Sequence, residues 1–79
     1  MSYNEIIQQK LKKLREMKEL KQEDLATIIN KSRQCYNQYE NGVRKIDIDQ
    51  LCKIADEFDL PLDWFTGRDI ETNKRLRNS

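Results

Sequence analysis

Apolar residues recur along this chain at helical rather than strand spacing. Ile7, Leu11 and Leu14, with Met17 continuing the series, predict one face of a first helix that Ser2 or Asn4 can cap. A short second helix fits residues 22–29, with Leu25, Ala26 and Ile29 turned inward. Asn30 tolerates the left-handed backbone of a tight turn, and Ser32 offers an N-cap oxygen to a third helix from Arg33 to Glu40. Asn41-Gly42 then stops that helix, since Gly42 suits a left-handed position just past its end. Asp47 can cap a fourth helix, whose Ile48, Leu51, Cys52, Ala55 and Phe58 mark an apolar face flanked by Ile54. Pro61 opens a fifth, Pro61 to Phe65, and Gly67 ends it. No stretch alternates with period two. The pattern predicts an all-α fold, a compact five-helix domain over residues 1–67. Residues 68–79 hold Ile70 and Leu76 as their apolar members and read as a tail, disordered or dimer-contacting.

Composition removes several chemistries. The 79 residues suit one small domain, which buries roughly 60% of its surface on folding. Without histidine the commonest general base is missing, and two cysteines, Cys35 and Cys52, are too few for a zinc site. Each cysteine lies in a helical pattern and reads as a small hydrophobe, with a redox switch as the lesser reading. Two glycines build no phosphate loop, so neither catalysis nor a cofactor or metal is expected. No apolar run approaches membrane-span length and the first residues lack a signal-peptide core, which predicts a cytoplasmic protein. The net charge of +1 hides a polarity: residues 1–45 carry ten basic and six acidic side chains, a net of +4. Residues 46–79 carry five and eight, a net of −3. The first half is the one suited to an acidic partner.

The segment from Gln22 to Gly42, QEDLATIINKSRQCYNQYENG, is the informative one. Two helices meet at a short turn, and the second turns Tyr36 and Tyr39 inward. Arg33, Gln34, Asn37 and Gln38 lie together on the opposite side, near its start. Arginine, glutamine and asparagine are the side chains that bond guanine and adenine edges in a major groove.

In order along the chain stand Ile7-Leu11-Leu14-Arg15, LxQEDLA at 20–26, SRQ at 32–34, YENG at 39–42 and LPLDWFTG at 60–67. Together they resemble the helix-turn-helix family of lambdoid phage repressors and Cro proteins, often called XRE. The resemblance implies a sequence-specific regulator of transcription, a repressor by expectation, that binds a palindromic double-stranded operator as a homodimer. It implies base reading by Arg33, Gln34 and Gln38, with Asn37 in support. It implies backbone contacts from Gln22, from the Asn41 amide, and from Arg44 and Lys45 in the loop beyond. Arg15 and Glu40 match a structural ion pair of several relatives. Leu60, Leu62 and Ile70 are the expected dimer contact.

Three positions depart from the family pattern. Lys21 replaces the usual serine or threonine cap, Asn30 the turn glycine, and Lys31 a buried valine. Lys21 and Lys31 instead bring positive charge toward the DNA backbone. A second reading of the same resemblance is a protein-binding module such as the antitoxin of a toxin–antitoxin pair, which also binds DNA. A controller of a restriction–modification operon is a third.

Overall fold

In the computed structural model, which describes residues 2–68, five helices follow one another. They are α1 (Tyr3–Lys18), α2 (Gln22–Ile28), α3 (Arg33–Glu40), α4 (Ile48–Glu57) and α5 (Leu62–Thr66), with no strand among the described residues. Side-chain caps start three of them. Ser2 Oγ accepts the Glu5 N–H at 3.3 Å and Ser32 Oγ accepts the Cys35 N–H at 3.1 Å. At α4, Asp47 and Gln50 exchange side-chain and backbone bonds of 2.9 and 3.3 Å, a capping box. Lys21 has no oxygen to cap α2, as expected from its sequence. Asp24 makes good half the loss, because its Oδ2 accepts the Lys21 N–H at 2.8 Å.

All five helices close the same way. Leu20, Lys31, Val43, Leu60 and Arg68 each donate a backbone N–H to the carbonyl five residues back, at 2.8–2.9 Å. The residue before each is forced into the left-handed region: Glu19 (φ 54°), Asn30 (56°), Gly42 (78°), Asp59 (54°) and Gly67 (77°). Asn30 and Gly42 follow from turn chemistry. Asp59 carries a weaker form of the same signal, and Glu19 carries none.

The core gathers Leu11 and Leu14 of α1, Leu25 and Ala26 of α2 with Ile29 just beyond it, and Tyr36 and Tyr39 of α3. Leu51, Ile54 and Ala55 of α4 and Phe65 of α5 complete it. Two expected core positions are exposed. Met17, in the last turn of α1, is 54% exposed, and Ile48, in the first turn of α4, is 61% exposed. The α4 face is centred on fully buried Ile54 rather than flanked by it, and Ile48 sits at the rim of a shallow hollow with Tyr3 and Leu62. α5 is fixed to α1 through Trp64. Its indole meets Phe65 edge-on at 5.0 Å, and Lys10 Nζ lies 4.8 Å from the ring centroid.

Candidate nucleic-acid interface

α3 is held from beneath by a buried ion pair. Arg15 of α1 grips Glu40 with two bonds, Nε to Oε2 at 2.6 Å and the second terminal nitrogen to Oε1 at 2.9 Å. A third bond, 3.4 Å to the Leu20 carbonyl, steadies the guanidinium on the α1–α2 corner. The Glu40 side chain is fully buried and that of Arg15 is 23% exposed, so Arg15 is the partner that compensates the desolvated carboxylate. Glu40 in turn raises the Arg15 guanidinium above its already high ordinary pKa. The Tyr36 hydroxyl is buried without a hydrogen bond. Burial first, and then the Glu40 carboxylate, hold that phenol well above its ordinary value.

The other side of α3 is open. Arg33 and Gln34 are exposed and Gln38 is half-exposed. Two surface hollows flank them, one lined by Gln22, Arg33, Gln34 and Asn37, the other by Ser32, Gln34, Cys35, Gln38 and Arg44. Lys21, Lys31, Arg44 and Lys45 are all exposed. The four base-reading candidates thus lie on one helix, but Asn37 differs from the rest. It is half-buried, its Nδ2 donates to Gln22 Oε1 at 3.1 Å, and its Oδ1 accepts from Asn41 Nδ2 at 2.9 Å. Spacing along a helix cannot reveal such a use, because Gln22 arrives from another element.

The loop after α3 folds back onto it. Val43 and Arg44 both donate backbone N–H groups to the Gln38 carbonyl, at 2.9 and 3.2 Å. The Asn41 backbone amide, expected to be available to a phosphate, instead completes the last turn of α3 by donating to the Asn37 carbonyl at 3.0 Å. Asn41 therefore faces outward through its side chain. Gly42 is needed for its left-handed φ; a Cβ there would also lie 2.7 Å from the Gln8 amide of α1, the movable end of a flexible side chain. Gln8 and Asn4 of α1 border a recess shared with Arg44 and Lys45, a contact between the first helix and the basic loop that periodicity alone did not foresee.

The expected dimer residues are divided. Leu60 and Leu62 are half-buried against the core, whereas Tyr3, 57% exposed, and Ile48 are the large apolar side chains left outside beside Leu62. Ile70 and the rest of the predicted tail beyond Arg68 lie outside the described residues.

Two helices joined across residues 29–32, the second with a polar outer edge and flanking cations, define a helix-turn-helix. The helix-turn-helix family model matches residues 11–65, and the chain belongs to that family, in its XRE and lambda-repressor branch. It is a DNA-binding regulator of transcription, from a family that is typically non-enzymatic. No curated protein and no solved structure matches it significantly. Among the described residues no helix is long and apolar enough to cross a membrane.

Proposed function

We propose that this protein is a sequence-specific repressor that lays α3 in the major groove and reads bases with Arg33, Gln34 and Gln38. The observation that carries the reading is the state of α3 itself. The charged group on its inner side, Glu40, is already bonded, while Arg33 and Gln34 stand exposed at its start. Arginine and glutamine are suited to paired hydrogen bonds with guanine and adenine, and each good pair contributes about 1–3 kcal/mol of discrimination. Lys21, Lys31, Arg44 and Lys45 flank that edge and meet the phosphate chain, with Gln22 and the Asn41 side chain as uncharged contacts.

One small module covers too little DNA for tight specific binding, so the working form is a two-fold pair on a palindromic operator. Its half-sites stand about 34 Å apart, one turn of the duplex. Leu62, with the exposed Tyr3 and Ile48 around it, is the apolar surface available for that pairing. Repression follows by occupancy, as a dimer seated across a promoter excludes the polymerase. Selection of bound sequences from a random DNA pool tests the whole reading at once. The expected product is an inverted repeat with two defined half-sites; a pool that never converges would defeat sequence specificity, and a single unrepeated motif would defeat the two-fold pair.

A further inference from the structure

Asn37 is chemically able to read adenine and lies beside the residues proposed to read bases, yet its amide is occupied at both ends. Its Nδ2 donates to Gln22 Oε1 and its Oδ1 accepts from Asn41 Nδ2, at 3.1 and 2.9 Å. Gln22 is the first residue of α2 and Asn41 follows the last residue of α3, so Asn37 bridges two positions on either side of the recognition helix.

We infer that Asn37 is a positioning residue for phosphate contact rather than a base reader. An amide side chain has one acceptor end and one donor end. Because Asn37 takes the acceptor of Gln22, the Gln22 Nε2 group is the end left over, with both of its hydrogens. Because Asn37 Oδ1 takes one hydrogen of Asn41 Nδ2, the orientation of that amide is set too, and its second hydrogen remains. The relay therefore leaves donors at both ends, which is what a phosphate oxygen requires. With Asn37 absent, either amide can rotate by half a turn and present its carbonyl oxygen instead, which repels an anion. Asn41 also donates its backbone N–H to the Asn37 carbonyl, which keeps its side chain beside Asn37, and a phosphate at either end favours this donor-outward direction over its reverse.

The inference rests on the reading of Gln22 and Asn41 as phosphate contacts, and its test does not depend on sequence specificity. Affinity of the full chain is measured for a mixed-sequence duplex and for the selected operator. Asn37→Ala is expected to weaken both by the same factor, roughly three- to tenfold, the loss of about one well-placed hydrogen bond. The preferred bases stay unchanged. Gln22→Ala and Asn41→Ala are each expected to cost severalfold in the wild-type background and clearly less once Asn37 is alanine, whereas a residue that merely packs leaves those costs equal in the two backgrounds. Equal costs would overturn the inference. So would a loss confined to the operator with one base position relaxed, because Asn37 would then be reading that base. A wild-type pool that yields no consensus would instead defeat the specific reading, while leaving the mixed-duplex comparison in force. If Asn37→Ala unfolds the domain, Gln22→Met removes the acceptor and keeps Asn37; its effect must then fail to add to that of Asn41→Ala.

Discussion

Tyr36, Tyr39 and Glu40 on one side of α3, and Arg33, Gln34 and Gln38 on the other, differ in how much of their chemistry is already used. The inner three are buried, and Glu40 is bound by two charge-assisted hydrogen bonds within the fold. The outer three have no hydrogen bond from their side chains to the rest of the described protein and face open hollows. One eight-residue helix thus carries two nearly separate sets of side chains, one used within the fold and one left open. Asn37 and Asn41 lie on the seam between them. Substitutions on the inner side should therefore register in unfolding, and those on the outer side in DNA affinity, with little crossing over.

The largest expected effect is on the inner side. Arg15→Ala strands the Glu40 carboxylate in the core and should cost about 3–5 kcal/mol, a large share of what a domain this size holds in reserve. Denaturant unfolding measures it directly. Replacing both partners, as Arg15→Met with Glu40→Leu, should recover most of that loss, because no buried charge is left. A single mutant with near-wild-type stability would mean the pair is effectively exposed, worth no more than about 1 kcal/mol.

On the outer side the expected losses are smaller and of another kind. Gln34→Ala should cost about 1–3 kcal/mol on the selected operator and little on mixed DNA, with unchanged unfolding. Lys45→Ala should weaken both targets alike and reduce the salt slope by about one ion. Titrations at several salt concentrations separate the two behaviours. If both variants lost affinity equally on both targets, α3 would not be reading sequence.

Helix order, the turn at Asn30 and the stop at Gly42 were legible because each rests on local chemistry: a cap oxygen, a tolerant φ or a missing side chain. Ile48 and Met17 were misplaced because periodicity identifies a face but not where along it the neighbouring helices end. The occupation of Asn37 by Gln22, and the approach of Gln8 to Gly42, depend on elements distant in the chain, so no window of sequence contains them. The family resemblance did bring Arg15 and Glu40 together, which spacing could not have done.

Tyr36 offers a pH test of the inner side. Its pKa is raised on folding, so its contribution to stability is full below the unfolded value of 10 and is lost as pH rises above it. Stability should fall by about 1.4 kcal/mol per pH unit from this group once the unfolded chain ionises. Tyr36→Phe should remove that slope. Because the hydroxyl has no hydrogen-bond partner, the variant should also be at least as stable as the wild type at neutral pH. A clear loss at neutral pH would reveal a bond that holds the hydroxyl.

The smallest expected effect lies at helix ends away from the open side of α3, and it is a gain. Glu19 and Asp59 adopt left-handed backbone at the ends of α1 and α4, where a side chain costs about 1 kcal/mol relative to glycine. Each also sets a negative charge against the carbonyl end of a helix, which is unfavourable by a few tenths of a kcal/mol. Glycine relieves both terms, while the greater freedom it gives the unfolded chain takes part of the gain back. Asp59→Gly should therefore stabilise by about 0.5–1 kcal/mol and leave operator affinity unchanged. Gly42→Ala makes the opposite change at the end of α3, and there the strained φ is joined by a contact with the Gln8 amide. It should destabilise by about 1–2 kcal/mol and also weaken DNA binding, because the loop it displaces carries Arg44 and Lys45. Thermal unfolding and operator titration of the two variants provide the comparison. If Asp59→Gly altered DNA binding, or Gly42→Ala left it intact, the separation of the two sides of α3 would not extend to the loop that follows it.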